Sequence, residues 1–272
     1  MQVNSNDFVM EKVYFGNECY ELYQMPSLLF NEACKHDKNE IVERDNTGLR
    51  VYLGCYCCVS LLKSSKMKLI LKDKNVLELG AGAGGLSLFA LDGVCNSMTI
   101  SDGNESAVAL AKMNVELIKP ISKCQVAQLS WGANNDNFLQ RYNDNNKFDV
   151  IIGSDLMYFS IDVLDLLRTV LDNIDPINGV FIHSHVFRRD GQKKELIDIL
   201  KQFNWNSIQI PIETFANLSE LSNHPDWYST SCIISASNET IIKLLYENPD
   251  YILFKEDEIQ TDNFNFSDDF FT

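Results

Sequence analysis

The chain has 272 residues, 45% hydrophobic and 22% charged, an ordinary globular balance with room for one α/β domain of roughly 200 residues and additions. Its net charge of −15 argues against a nucleic-acid ligand held by a basic patch and is compatible with a basic protein partner steered by charge. No apolar run reaches the length of a membrane span and Met1–Asp7 lacks the basic and apolar regions of a signal peptide, so an intracellular setting, cytoplasmic or also nuclear, is expected, with eight reduced cysteines.

Residues 1–50 read as an N-terminal extension. Within it Lys12-Val13-Tyr14-Phe15, then Gly16-Asn17, then Glu18-Cys19-Tyr20-Glu21-Leu22-Tyr23 spell a β-hairpin around a Gly-Asn turn. Residues 51–63 are almost wholly apolar and predict a helix buried against the core. From Asn75 strand and helix alternate, with strands at 75–79, 97–101, 124–129, 148–154 and 179–184, and two more near 205–211 and 230–236. Such alternation predicts an α/β fold: a parallel, doubly wound sheet of seven strands with helices on both faces. Ligands of such sheets bind at the carboxyl ends of the strands, at the topological switch point. The main domain is expected over residues 51–240 and an acidic tail over residues 241–272. Residues 247–272 hold eight acids against Lys255 alone, and disorder is the default expectation for 256–272, although Phe264, Phe266, Phe270 and Phe271 lie there.

The string Val76-Leu77-Glu78-Leu79-Gly80-Ala81-Gly82-Ala83-Gly84 reads as a buried strand, an acid, and glycines at alternate positions before a helix. Glycines there let the backbone turn sharply and approach a ligand closely. The acid at its head suits a cofactor bearing an ammonium better than a pyrophosphate. The second strand ends in Ser101-Asp102-Gly103-Asn104-Glu105, and an acid at this tip can accept hydrogen bonds from both hydroxyls of a ribose. Asp102 or Asn104 could instead cap the next helix. The third strand leads to Leu129-Ser130-Trp131-Gly132, where an indole can lie against an adenine or pack into the core. The fourth leads through Ser154 to Asp155-Leu156-Met157-Tyr158, which brings a carboxylate and a phenol to the strand tips.

Taken in order, these four strings resemble the seven-strand, Rossmann-like methyltransferases of methyltransferase family sixteen, dominated by protein-lysine methyltransferases, over roughly residues 46–236. The family motif Asp-x-x-Tyr/Phe fits Asp155-Leu156-Met157-Tyr158, and Gly48-Leu49-Arg50-Val51-Tyr52 resembles its Gly, gap, Val-Trp element with Tyr52 in place of Trp. Ser130 stands where the family often has Asp. The resemblance implies S-adenosyl-L-methionine as cofactor and a protein as substrate. Glu78 with the backbone of Gly80, Ala81 and Gly82 would hold the methionine part. Asp102 would hold the ribose, and Tyr52 and Trp131 would flank the adenosine; Gly103, Asn104 and Ser154 complete the cofactor-binding set. Asp155 would orient the incoming ammonium, and Tyr158 would wall the lysine channel. Transfer to a protein histidine or a small molecule, and a non-catalytic cofactor-binding module, remain as alternatives. No Asn-Pro-Pro-Tyr or Asp-Pro-Pro-Tyr follows the fourth strand, which argues against base methylation.

Cys55-x-x-Cys58 lacks the second tight pair that a structural zinc site needs, so no metal is expected. His183-x-His185 puts two imidazoles on one strand face, as core groups or as a site-facing base.

Overall fold

Strands that bury both faces read as near-continuous apolar runs rather than alternating ones, and the central strands of this chain do so. The computed structural model describes residues 7–15, 18–26, 47–132, 137–157, 163–187, 191–216, 229–246 and 252–253. The strands are β1 (Val9–Phe15), β2 (Glu18–Gln24), β3 (Asn75–Leu79), β4 (Ser97–Asp102), β5 (Lys123–Gln128), β6 (Val150–Ser154), β7 (Val180–Val186), β8 (Asn206–Ile210), β9 (Thr230–Ala236) and β10 (Ile252–Leu253). Helices α1 (Leu53–Leu62), α2 (Ser65–Leu71), α3 (Gly85–Ala90), α4 (Glu105–Ile118), α5 (Phe138–Tyr142), α6 (Val163–Asn173), α7 (Gln192–Gln202) and α8 (Glu239–Tyr246) pack around them.

β1 and β2 form the expected antiparallel hairpin, with Phe15 opposite Glu18. The main sheet runs β10-β8-β9-β7-β6-β3-β4-β5. The chain steps outward from β3 to β5 and then returns to place β6 on the other side of β3, so the switch point lies at the carboxyl ends of β3 and β6. The expectation of a parallel sheet holds from β5 to β7 and fails beyond. β9 inserts between β7 and β8 and runs antiparallel to both, and the two-residue β10 adds an antiparallel edge. Parallel neighbours need a crossover, usually helical, whereas an antiparallel neighbour can be reached by simple return. The β8–β9 connection, whose described start holds a 3₁₀ turn over Ile212–Thr214, makes that return. A helix over Glu239–Tyr246 follows β9, and residues 256–272 lie outside the described residues.

Period-two alternation divides the core into two layers. Val76, Val150, Ile152, Val180 and Ile182 face α1, α3, α4 and the hairpin. Leu77, Leu79, Ile151 and Phe181 face α6 and α7, with Phe148 and Trp205 filling the gaps. α1 is buried almost all round, as its composition predicts: Gly54, Cys55, Cys57, Cys58, Val59, Leu61 and Leu62 are all enclosed. The hairpin belongs to the first layer, since Phe8, Val13, Phe15, Leu22 and Met25 join it. Among the described residues, no helix is long and apolar enough to cross a membrane.

Phe148 is 1% exposed and closes the second layer where β6 begins, with its backbone tied to Asn173 and Asp175 of the α6–β7 connection. Phe148→Ala leaves a cavity that such ties keep from collapsing, and a loss of about 3–5 kcal/mol is expected from urea unfolding. A loss below about 1 kcal/mol would mean that the site relaxes around the void.

Candidate active site

The glycine string becomes a loop in which Gly80, Gly82 and Gly84 all take left-handed backbone, at φ of 57°, 54° and 77°. Gly82 is also sterically fixed: a Cβ there would lie 2.2 Å from the carbonyl oxygen of Gly48. Two backbones therefore touch, and no side chain fits between them. Ala81 N–H donates to Ser101 O at 2.9 Å, which ties the loop to β4.

Glu78 lies on the inner face of β3 and is 2% exposed. Its Oε2 accepts from the Ser87 N–H, in the first turn of α3, at 3.1 Å. Burial pushes its carboxyl up to about 8, the Ser87 hydrogen bonding opposes this, and the Asp102 charge adds to the rise. Across the loop, Asp102 is fixed through both oxygens: Oδ2 accepts from Gly82 N–H at 2.9 Å and Oδ1 from Asn104 N–H at 2.8 Å. Asn104, not Asp102, caps α4, its Oδ1 accepting from Ser106 and Ala107 N–H at 2.8 and 3.3 Å. The carboxylate of Asp102 is thereby left to the strand tip.

Asp155 follows β6 in left-handed backbone, φ 53°, a conformation that costs a non-glycine residue roughly 1 kcal/mol or more. Its N–H donates to Ser184 O and its Oδ1 accepts from Val186 N–H, both at 2.8 Å, so the carboxyl is pinned to the end of β7. The first turn of α1 allows this because residue 54 is glycine; a Cβ there would meet the Asp155 carboxyl carbon at 2.9 Å. The Ser184 hydroxyl holds that turn by donating to Gly54 O at 2.6 Å.

These groups surround one cavity of about 580 Å³, within the range of small-molecule sites. Glu78, Gly80, Ala81 and Gly82 form its floor, and Asp102, Gly103 and Asn104 one side. Trp131, Tyr52, Ser154 and Asp155 complete the walls. Of the candidate site residues read from sequence, Tyr158 alone lies outside the described residues. The Trp131 ring rests over Gly80, where a Cβ would meet its Cζ2 at 3.2 Å. Arg50, Cys55 and Asp165 also line the cavity, though none of them was assigned to it from sequence. Arg50 stands in the Gly48–Tyr52 element, and Asp165 lies in the first turn of α6. Arg50 is held by Glu11 at 2.8 Å and donates to Met25 O, so its charge is directed to the hairpin.

His183 and His185 sit apart from the cavity wall. They are buried on the α6–α7 side of β7 with ring nitrogens 2.7 Å apart, and burial holds His183 well below the ordinary imidazole range. The pair is a buried core contact. Burial also pushes the Cys57 thiol up to about 12, away from thiolate chemistry. Among the described residues, no three ligating side chains gather in a metal-binding group.

A family model described as lysine methyltransferase matches residues 44–203, more than half of the chain. The chain is 29% identical over 140 residues to EEF1A lysine methyltransferase 3 of Xenopus tropicalis, covering 51% of this chain and 58% of that protein. It is 31% identical over 140 residues to protein N-lysine methyltransferase METTL21A of Danio rerio, covering 50% of this chain and 61% of that one. Both matches span less than two thirds of the relative's length. Among solved structures, SMU.776 complexed with SAH superposes with a TM-score of 0.52 at 15% identity, over 87% of this chain and 58% of that one, a likeness of fold.

The raised Glu78 carboxyl has a measurable signature. Its folded value, about 8, exceeds the ordinary 4.5, so its contribution to stability is full below pH 4.5 and is lost as pH rises through 8. Thermal unfolding from pH 5 to 8 is expected to show wild type losing ground steadily to Glu78→Gln, whose neutral amide does not titrate. Parallel pH profiles for the two proteins would show that Glu78 is solvated and ionised in the free protein.

Proposed function

The chain belongs to the lysine methyltransferase family, and on that premise we propose that it transfers a methyl group from S-adenosyl-L-methionine to a lysine side chain of a protein substrate. The observation that carries this reading is that Glu78, Asp102 and Asp155, from the tips of three adjacent strands, converge on one cavity. The residues present suit such a cofactor. A buried carboxyl at Glu78 calls for a cation, and an ammonium in the cavity would favour its ionised form. Asp102 is held rigid by two backbone N–H groups at the strand tip, where a carboxylate suits the hydroxyls of a ribose. Tyr52 and Trp131 supply aromatic wall for a purine.

The cofactor, when bound, supplies an electrophilic methyl group on a sulfonium. The task of the chain is to place a neutral amine in line with it and to keep water out. Asp155 accepts a hydrogen bond from the incoming lysine and aims its nitrogen. A carboxylate beside an amine favours the charged form, so Asp155 orients the acceptor and is not the base that deprotonates it. The fixed backbone and the Val186 hydrogen bond suit that role, because aim depends on rigidity. By its place in the Asp-x-x-Tyr motif, Tyr158 would offer a ring face to the cation before transfer. The net charge of −15 favours a basic segment of a folded protein as the target.

Methyl transfer from radiolabelled cofactor into a cell lysate, resolved on a denaturing gel, tests the reading. A discrete labelled protein band is expected, weakened about a hundredfold by Asp155→Asn or Tyr158→Ala while cofactor affinity is retained. Acid hydrolysis of the band should release methylated lysine. Label confined to small molecules or nucleic acid, or full activity in both variants, would refute the assignment.

A further inference from the structure

The hairpin stands outside the cavity, since none of its described strand residues lines the wall. Two separate sets of hydrogen bonds nevertheless join it to residues that do. The first set runs to the segment carrying Gly48–Tyr52. Met25 N–H donates to Leu49 O at 3.0 Å, Val51 N–H donates to the Gln24 side chain at 2.8 Å, and Arg50 is gripped by Glu11. The second set passes through one side chain. Asn114, midway along α4 and wholly buried, accepts from Tyr23 N–H at 2.6 Å, donates to Tyr23 O at 3.0 Å, and donates to Ala83 O at 2.8 Å. Three of the four hydrogen bonds a carboxamide can make are thus spent, two on the hairpin and one on the glycine loop. None can be replaced by water at a site with no exposure.

We propose that Asn114 is a positioning residue that couples the N-terminal hairpin to the cofactor cradle, so that filling the cavity and ordering the hairpin favour one another. The proposal rests on the cofactor reading given above. Its physical content is geometric. Besides its bonds to Ser101 and Asp102, the glycine loop meets two neighbours from outside the sheet, the Gly48 carbonyl against Gly82 and the Asn114 side-chain amide on Ala83. Both are held from behind by the hairpin. A hairpin that lifts away releases the loop at both points, and a ligand that fixes the loop pulls Asn114, and with it Tyr23, into place. Linkage requires the effect to run equally in both directions.

Hydrogen exchange of the wild-type protein, with and without S-adenosyl-L-homocysteine and with binding followed by calorimetry, reads this directly. Amides over residues 18–24, none of which lines the cavity, are expected to exchange about fivefold more slowly with the ligand bound, together with those of residues 80–85. Protection of residues 80–85 with the hairpin unchanged would overturn the coupling and leave the cofactor reading standing. No binding heat would overturn the cofactor reading, and the coupling with it. Asn114→Ala should raise KM for the cofactor about tenfold, hold kcat at saturating cofactor within about twofold, and abolish hairpin protection. A fall in kcat with KM unchanged would assign Asn114 to the fold or the chemistry instead. If circular dichroism shows this variant unfolded, the wild-type exchange experiment decides alone.

Discussion

A carboxyl group at the tip of the central strand is kept out of water, and much of the molecule is arranged around that fact. Glu78 is enclosed by α1, α3 and the glycine loop, with the Ser87 N–H as its hydrogen-bond donor. Burying a carboxylate without a cation is costly, and the group answers by holding its proton. The free protein therefore holds a neutral acid at this point, and an ammonium placed beside it would favour the ionised form. Selectivity follows from the same physics. A cation beside Glu78 would gain from the ionised carboxylate, whereas a neutral ligand would meet the neutral acid. The rest of the site repeats the theme of pre-organisation, with Asp102 held by two backbone N–H groups and Asp155 by strained backbone and Val186.

The site is assembled from pieces distant in sequence by direct backbone contact. Gly48 meets Gly82, and Gly54 admits Asp155, each at a distance that any larger residue would obstruct. Such contacts leave little slack, because atoms already touching cannot move closer and their partners are fixed by hydrogen bonds. This makes the hairpin more than an appendage. It contributes five buried side chains to the first core layer and both hydrogen-bonding groups of Tyr23 to Asn114.

Much of this was legible in the sequence, for reasons that differ residue by residue. β3 was placed at its observed ends because a fully buried strand and a glycine run are both written in local composition. The hairpin was legible because Gly16-Asn17 sits between two strand-like runs. Asp102 and Asn104 were ambiguous because both are good caps two residues apart, and only the folded backbone assigns the cap to Asn104. The direction of β9 was not legible, since a buried strand has the same composition whichever way it runs. Asn114 escaped notice because a polar residue in an amphipathic helix looks like part of its wet face until α4 is seen wedged between hairpin and loop. Arg50 and Asp165 escaped for a related cause. Lining a cavity is a property of three-dimensional placement, which neither the Gly48–Tyr52 element around Arg50 nor the helix around Asp165 spells out.

The position of β9 bears on how such a chain emerges from a ribosome. Synthesis delivers β3 to β7 in sequence, and they can pair as they appear, but the edge of β7 faces β9, which arrives some 50 residues later. Until then the seven residues of β7, Val180–Val186, all buried in the finished fold, present an open row of hydrogen-bonding groups to whatever is nearby. β8 is made first and cannot complete the sheet, because its own partner is also β9. The nascent protein thus passes through an interval in which a sticky edge waits for β9, and chaperone demand or misassembly should concentrate in that interval.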